Sequence, residues 1–298
     1  MNRLGIAVAS IRRESAHGIP FALMWFLRRF HLRMIRRYCD GLPRPTAADL
    51  QRPLTVVVPA VDKDAAVLEH CLRSVRQFVT HPIAELWVVA PESARIGAIA
   101  EASRARLVPE DALLPQPARV LRTRGWVLQQ LIKFNACHSV PTPDYLVLDA
   151  DTVFLRPQCF FRGARTVLRY SDQYELLYNR SLELLFGHGR RFPTSFVTHH
   201  QVFATDHVKA LLAMIEGRFG RPWWEAILHE VDQGHLISFS EYEWYGHFVM
   251  SQPERRARAA LQYWHGLDRY AEDLPGLAAL QRTAGKRVNS VSFHQHTQ

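Results

Sequence analysis

The sequence predicts an α/β fold in which a mixed, mainly parallel sheet is flanked by helices. Short apolar runs rich in β-branched residues alternate along the chain with amphipathic helical stretches, and short links join them. This alternation is typical of parallel strands connected by right-handed helical crossovers. With 298 residues, 48% of them hydrophobic and 22% charged, the chain has a globular composition and can bury a sizeable core.

The first half of the chain contains the elements that define this sheet. The run from Leu54 to Pro59 is the first predicted strand, and a loop with Asp62 and Asp64 follows it. The next predicted elements are a helix over 65–79, a strand over 85–90, a helix over 93–106, a strand over 118–121, a helix over 125–140 and a strand over 144–155. Ligands of such sheets bind beyond the carboxyl ends of the strands, so 59–64 and 149–151 are expected to line one cleft.

Two carboxylates, Asp149 and Asp151, follow the apolar run Tyr145–Leu148. An unpaired carboxylate is costly to bury, so a pair at the edge of a core favours a compensating cation. If the strand continues, its alternation places both on one side, where they can hold Mg²⁺ or Mn²⁺ together with substrate phosphates. The alternative is a strand that ends in a solvated Asp-x-Asp turn.

The predicted helix before these carboxylates has a face of mixed polarity. Its members recur at spacings of three and four, and they are Trp126, Gln129, Gln130 and Lys133. This pattern indicates either a binding face or a solvated face. Arg122, Arg124 and Lys133 are cations near the carboxylate strand, which makes them candidates for contacts with phosphate oxygens.

Three stretches resemble bacterial glycosyltransferases of the GT-A fold. They are Pro-Leu-Thr-Val-Val-Val-Pro at 53–59, Gly-Trp-Val-Leu-Gln-Gln-Leu-Ile-Lys at 125–133 and Leu-Asp-Ala-Asp-Thr-Val-Phe-Leu at 148–155. The chain is most similar to a bacterial group with a G-W-x-x-Q-Q-x-x-K helix before its Asp-x-Asp, and the similarity covers residues 53–298. The resemblance implies a Rossmann-like GT-A sheet, a nucleoside-diphosphate-sugar donor, and Mn²⁺ or Mg²⁺ bound by Asp149, Asp151 or both. Expected donor contacts, besides the helix face and the basic residues, are Pro59, Asp62, Asp149 and Ala150.

The second half of the chain is expected to form the acceptor side of the cleft, after a helix-like stretch over 160–191. An inverting transferase needs a carboxylate to deprotonate the acceptor hydroxyl. Glu241, just after a possible N-cap at Ser240, matches the place of that base in GT-A folds, and Glu243 is the reserve. The alternative is an acid that stabilises a helix N-terminus.

Histidines and one tryptophan complete the predicted site. His199 and His200 interrupt a strand pattern, and we expect one to face the core and the other the cleft; two structural histidines are the alternative. The predicted acceptor-side residues are His199, His200, Trp244 and His265. The resemblance also implies a late histidine in the metal sphere, with His294 as the first candidate and His265 as the second.

We expect residues 1–45 to form a basic amphipathic segment that precedes a single catalytic domain over 46–298. That domain is expected to divide into a nucleotide-sugar-binding half, 46–155, and an acceptor-binding half, 156–298. The segment holds nine arginines against Glu14 and Asp40, so most of the net charge of +9 lies there. Over 19–38 its pattern is typical of a helix that lies on an anionic membrane surface, although packing against the body is the alternative. Its apolar run is nine residues long, too short to span a bilayer.

These features predict a metal-dependent glycosyltransferase that acts on a cell-envelope glycan or glycolipid. We expect it in the cytoplasm, peripheral on the inner face of the membrane. The alternatives are a nucleotidyltransferase with the same metal-nucleotide cleft and a non-catalytic membrane-surface binding protein. The nearly balanced charge beyond residue 45 argues against nucleic acid as a partner. The four cysteines are far apart, which argues against a zinc site or a disulfide scaffold.

Overall fold

A computed structural model describes residues 27, 30–31, 33–35, 37, 41–116, 125–173, 175–190, 192, 194–236, 238–270, 279, 282, 284 and 288–294, with only the backbone at 268–270 and 294. The predicted strand at 118–121, the candidates Arg122 and Arg124, and much of the N-terminal segment lie outside this range.

The strands and helices of the described residues are numbered in chain order. The strands are β1 (Leu54–Pro59), β2 (Ile83–Ala90), β3 (Arg106–Pro109), β4 (Asp144–Leu148), β5 (Thr152–Phe154), β6 (Phe161–Arg162), β7 (Arg165–Tyr170), β8 (His200–Ala204), β9 (Ala259–Tyr263), β10 (Gly266–Tyr270) and β11 (Ser290–His294). The helices are α1 (Ala47–Leu50), α2 (Ala65–Phe78), α3 (Ala94–Ala102), α4 (Gly125–Asn135), α5 (Leu176–Phe186), α6 (Thr205–Phe219), α7 (Trp223–Asp232), α8 (Glu241–Ser251) and α9 (Pro253–Ala257).

The central sheet has the strand order β3-β2-β1-β4-β8. Strands β1 to β4 run parallel to one another, and β8 runs antiparallel to β4 at the end of the sheet. The predicted mixed, mainly parallel α/β sheet with flanking helices is therefore confirmed. Because β1 and β4 are adjacent and parallel, the chain leaves both strands at the same edge of the sheet, near Pro59 and Asp149 respectively.

Alternating side chains of the central strands build a core on each face of the sheet. Val57, Tyr145 and Val147 pack on one face, among apolar residues of α4, α6, α7 and α8. Val56 and Leu146 pack on the other face, among apolar residues of α2 and α3. Both layers are needed because the strands of a parallel sheet are buried on both sides.

The described residues also form two three-stranded sheets, one of which begins just after the carboxyl end of β4 with β5. One has the order β10-β11-β5 and the other β6-β7-β9. In the first, Thr152 and Val153 pair antiparallel with Ser292 and Val291. The C-terminal part of the chain is thus placed beside the carboxylate turn, and the backbone N–H of Phe293 donates to the carbonyl of Asp151 at 2.9 Å.

Several predicted boundaries are wrong. The predicted strand over 144–155 is two strands of different sheets, with a turn at 149–151 between them. The helix predicted over 93–106 ends at Ala102, and Arg106–Pro109 is the edge strand β3. The stretch over 160–191, predicted as helix-like, holds β6 and β7 before α5. The helix predicted over 125–140 ends at Asn135 and continues as one 3₁₀ turn.

Candidate active site

The two aspartates of the Asp-x-Asp lie in the turn between β4 and β5. The Asp149 backbone N–H donates to the carbonyl of His199 at 3.0 Å, and the Thr152 N–H donates to the carbonyl of Asp149 at 3.0 Å. The condition under which strand alternation would align the two carboxylates is not met, because the backbone turns here. Asp149 and Asp151 are both partly exposed.

Three side chains from separate elements donate to the Asp149 carboxylate. Lys133 Nζ lies 2.5 Å from Oδ1, and the Tyr242 hydroxyl donates to the same oxygen at 2.9 Å. His199 Nδ1 lies 3.2 Å from Oδ2. Burial alone would raise the pKa of Asp149, but Lys133 and His199 together hold it well below its usual range.

Lys133 is a buried cation between two carboxylates. Its ammonium lies 2.5 Å from Glu241 Oε1 as well as 2.5 Å from Asp149 Oδ1, and 4.7 Å from the centre of the Tyr242 ring. Burial opposes the charged form, yet the two carboxylates raise the pKa of Lys133 above its ordinary value. The sequence predicted phosphate contacts for this lysine, and the structure places its ammonium on two carboxylates. Lys133 therefore compensates the negative charge of Asp149 within the chain itself.

Glu241 begins α8, with Ser240 as its N-cap. Its backbone N–H donates to Gln130 Oε1 at 2.9 Å, and Gln130 Nε2 donates to the carbonyl of Trp126 at 3.3 Å. The Gln130 amide thus joins α4 to the first turn of α8, an internal contact where a donor contact was expected. Burial raises the pKa of Glu241, and the nearby Asp149 charge adds to this effect.

The half-buried Trp126 packs edge-on against Phe239, and Gln129 is also half-buried.

A third aspartate lies near the same turn. Asp64 is buried after β1 and accepts from the backbone N–H of Val61 at 3.0 Å. Burial raises the pKa of Asp64, and the negative charges of Asp151 and Asp149 raise it further. Asp64 was seen in the sequence only as part of a loop, because its proximity to the turn depends on the pairing of β1 with β4.

The other donor-side candidates are spread along this edge of the sheet. Pro59 is the last residue of β1 and is buried, as is Ala150 between the two aspartates. Asp62 is exposed, and its Oδ1 accepts from the Ser93 hydroxyl at 2.5 Å. These three residues lie at the end of the sheet where the cleft was expected, but only Asp62 presents an exposed polar side chain.

The two adjacent histidines have different surroundings. His199 has a left-handed backbone with φ of 61°, and its ring lies 5.2 Å from the Trp264 ring. His200 is fully buried with its ring edge-on to Phe154 at 4.9 Å, and burial lowers its pKa well below the usual range. His199 therefore belongs to the carboxylate site, whereas His200 belongs to the core and does not line the acceptor side.

Two further candidates lie inside the protein. Trp244 is 2% exposed, and its indole N–H donates to the Ser181 hydroxyl at 2.9 Å, so it packs in the core and does not line the acceptor side. Glu243 is fully buried, with Arg190 Nη2 at 2.7 Å from Oε1 and the Phe196 N–H donating to Oε2 at 3.1 Å. Glu243 thus fastens α8 to the segment before β8, which leaves Glu241 as the acid at the carboxylate site.

The late histidines are less closely defined. The half-buried His265 ring lies edge-on to the Tyr263 ring at 4.9 Å. His294 ends β11, whose strand passes beside Asp151, and its side chain lies outside the described part of the structure. Sequence reasoning missed Tyr242, which donates to Asp149. An Asp-x-Asp motif predicts a nearby cation, but it does not indicate which hydroxyl will donate a hydrogen bond to its carboxylates.

The carboxylate site has the donor chemistry of a hard divalent cation. Among the described residues, no group of three His, Cys, Asp or Glu side chains is close enough to hold a metal ion by itself. Mg²⁺ commonly uses only one or two protein carboxylates and completes its sphere with water and substrate phosphates. The carboxylates of Asp149 and Asp151 fit that arrangement, and Asp64 adds negative charge nearby.

The fold and this site define a mixed α/β protein with paired carboxylates and a buried lysine at the end of its parallel strands. Residues 53–298 match the model of a family described as "Family of unknown function (DUF6492)", and the chain belongs to this family. No curated protein matches it.

Solved structures with similar architecture include glucosyl-3-phosphoglycerate synthase from Mycobacterium tuberculosis. Its complex with Mn²⁺, uridine diphosphate and phosphoglyceric acid is 17% identical over 61% of this chain and 73% of that chain, with a TM-score of 0.42. Its complex with Mn²⁺, uridine-diphosphate-glucose and phosphoglyceric acid is 18% identical over 63% and 75%, also with a TM-score of 0.42. Similarity at this level carries no argument about what this chain binds.

Proposed function

We propose that this protein is a metal-dependent glycosyltransferase of the GT-A type. It would move a sugar from a nucleoside-diphosphate sugar to a cell-envelope glycan or glycolipid acceptor. The observation that carries the proposal is the meeting of Asp149 and Glu241 on the buried Lys133 where β4 ends, with Asp151 in the same turn as Asp149. Negative oxygen ligands and a nearby cation suit a diphosphate that departs with a divalent ion on it.

Each residue in this proposal has a distinct task. Asp151 and Asp149 would hold Mn²⁺ or Mg²⁺, which neutralises charge on the departing diphosphate. Tyr242 and His199 keep the Asp149 carboxylate in one orientation through their bonds to opposite oxygens. Glu241 would accept the proton of the acceptor hydroxyl.

Thermal-shift measurements with sugar nucleotides test the proposal directly. Full-length protein is mixed with UDP- or GDP-sugars, with and without Mn²⁺. One donor class should raise the melting temperature in the presence of Mn²⁺, because a ligand that binds only the folded state stabilises it. Asp151→Ala should abolish this shift. Asp232→Ala removes an exposed carboxylate at the end of α7 and should leave the shift intact.

Product analysis separates sugar transfer from nucleotidyl transfer. The protein is incubated with a donor labelled in the sugar and a membrane-glycolipid extract as the acceptor source. Sugar transfer moves the label to the acceptor and releases a nucleoside diphosphate, whereas a nucleotidyltransferase makes or consumes the sugar nucleotide itself. An Asp151→Ala protein as active as wild type would refute the assignment of this site.

We also propose that the N-terminal helix binds an anionic membrane surface. In its described part, Leu27 and Phe30 are 51% and 55% exposed, and Arg33 and Arg37 are exposed as well. Ile35 packs into the core, which supports a helix that rests on the body and presents apolar and basic side chains outward. Among the described residues, no helix is long and apolar enough to cross a lipid bilayer.

Vesicle binding tests the membrane proposal. The double variant Leu27→Ser/Phe30→Ser and deletion of residues 1–45 should each reduce sedimentation with phosphatidylserine vesicles. Leu107→Ser is the matched control, because it removes an exposed leucine from the edge strand β3. Equal sedimentation of all four proteins would exclude this role for the helix.

A further inference from the structure

The ammonium of Lys133 has the environment of a bound cation. Its side chain is 6% exposed, and its nitrogen lies 2.5 Å from an oxygen of Asp149 and 2.5 Å from an oxygen of Glu241. The Tyr242 ring provides a third, electron-rich surface at 4.7 Å from the nitrogen. A lysine that served only to attract a diphosphate would be expected to present its ammonium to solvent.

The same region carries more negative charge than one ammonium can neutralise. Asp149 and Glu241 share Lys133, while Asp64 lies close enough to both Asp149 and Asp151 to feel their negative charges. Asp149 Oδ1 is the oxygen that Lys133 and Tyr242 both approach. A divalent ion on this oxygen would meet the charge of Lys133 at short range, and two cations on one carboxylate repel each other.

We infer that Lys133 is an internal counter-ion that holds the Asp149 and Glu241 carboxylates together in the metal-free protein and competes with the divalent cation for Asp149. The inference rests on the proposed metal-dependent function and adds a coupling to it. A metal ion that binds Asp149 weakens the ion pair between Lys133 and Asp149. The Lys133 ammonium then interacts mainly with Glu241. Metal binding at the donor carboxylate is thereby linked to the charge environment of the proposed base.

Mn²⁺ affinity of Lys133→Met tests the competition. The dissociation constant is measured from the electron paramagnetic resonance signal of free Mn²⁺, with no donor present. Loss of a competing positive charge next to the carboxylates should tighten Mn²⁺ binding about tenfold. The metal-free variant should melt at a lower temperature than wild type, because the buried Glu241 carboxylate and the partly exposed Asp149 carboxylate have lost their shared partner, and Mn²⁺ should restore the melting temperature. Lys209→Met, which removes an exposed lysine of α6, should change neither quantity.

The outcomes separate this inference from the proposed function. If wild type binds Mn²⁺ and Lys133→Met binds it equally or more weakly, the competition is overturned while the metal site stands. If neither protein binds Mn²⁺ without donor, the competition is overturned, and the Mn²⁺-dependent thermal shift with sugar nucleotide decides separately whether the metal-dependent function stands. Mn²⁺ binding by Lys133→Met and not by wild type would show that Lys133 excludes the metal ion from Asp149 when no donor is present.

A measurement on the wild-type protein covers the case in which Lys133→Met does not fold. The protein is labelled with ¹⁵N-lysine, and the side-chain ammonium resonance of Lys133 is assigned by its loss in Lys133→Arg. Saturation with diamagnetic Mg²⁺ should shift this resonance and leave that of Lys209 in place. A Lys133 resonance that does not move at saturation overturns the inference.

Discussion

The ammonium of Lys133 and the carboxylate of Glu241 are 2.5 Å apart, although 108 residues separate them in the chain. Lys133 lies on α4, which precedes the Asp-x-Asp, and Glu241 is the first residue of α8. The pair joins the two parts of the chain that the sequence assigns to donor and acceptor binding. Because neither side chain is more than 6% exposed, the interaction is sheltered from the solvent that weakens surface ion pairs.

Glu241→Ala should destabilise the protein strongly. The substitution leaves the Lys133 ammonium buried with one carboxylate partner fewer, and loss of one member of a buried pair typically costs roughly 3–5 kcal/mol. Urea unfolding gives the free energy of unfolding for wild type and variant. Glu69→Ala is the control, because Glu69 pairs with Arg73 on the exposed side of α2, and such surface pairs contribute about 0–1 kcal/mol. A loss below 1 kcal/mol for Glu241→Ala would show that Asp149 alone suffices to hold Lys133.

Tyr242→Phe should lower the free energy of unfolding and the Mn²⁺-dependent donor shift more than Tyr145→Phe does. The Tyr242 hydroxyl donates to the partly exposed Asp149 carboxylate at 2.9 Å, whereas the Tyr145 hydroxyl donates to the neutral backbone carbonyl of Lys133 at 3.0 Å. Hydrogen bonds to charged groups contribute about 1.5–3 kcal/mol and neutral ones about 1 kcal/mol. We expect the larger loss of unfolding free energy and a weaker Mn²⁺-dependent donor shift in Tyr242→Phe. Identical behaviour of the two variants would contradict the role of Tyr242 at Asp149.

The central sheet could be predicted because its strands carry their own local signal. The apolar runs at β1, β2 and β4 are bounded by Pro59, by Ala90-Pro91 and by Asp149, and residues of this type end strands for local reasons. After the turn, Thr152-Val153-Phe154 continues the β-type pattern of β4. Nothing in these three residues indicates that they belong to a different sheet. These three residues form a separate strand because they pair with Ser290–Ser292, almost 140 positions later. A contact of that separation is not encoded in a local pattern.

Three residues of the candidate site could be predicted from the sequence, whereas Tyr242 and the bonds between the residues could not. Asp149, Lys133 and Glu241 each stand out by residue type and position. The structure pairs the lysine with both carboxylates, 16 and 108 positions away. A periodic pattern places a side chain on a helix face, but it cannot show whether an ammonium meets a phosphate or a carboxylate of the protein. Trp244 and His200 illustrate the opposite error, since residue types common in binding sites are here part of the core.

The stability of the protein should fall in mild acid because of His81. Its Nε2 accepts a hydrogen bond from the Phe160 N–H at 2.8 Å, which requires the neutral ring, and burial lowers its pKa from 6.5 to about 4. The unfolded chain therefore binds a proton at a higher pH than the folded protein. This contribution to stability is complete above pH 6.5 and decreases as the pH falls from 6.5 towards 4.

His81→Gln isolates this effect, because a glutamine oxygen can accept the Phe160 N–H without titrating. Urea unfolding is measured for both proteins at several pH values between 7.5 and 4.5. The stability of wild type relative to the variant should be constant above pH 6.5 and fall steadily below it. A difference that stays constant over the whole range would show that His81 does not contribute to the acid sensitivity.

Two glycine-to-alanine substitutions in helices should change stability in opposite directions. At Gly246 in α8, a Cβ atom would overlap the ring of the fully buried Phe196, which packs against Phe192 and His247. Overpacking of this kind costs about 1–3 kcal/mol or more, and it exceeds the roughly 1 kcal/mol that alanine contributes in a helix. At Gly217 in α6, no atom lies within 4 Å of the added Cβ, so only the helix preference remains. Gly246→Ala should therefore lower the free energy of unfolding, and Gly217→Ala should raise it by up to about 1 kcal/mol. If Gly246→Ala were as stable as wild type, α8 would not approach Phe196 as closely as described, and Glu241 at the start of that helix would have to be placed anew.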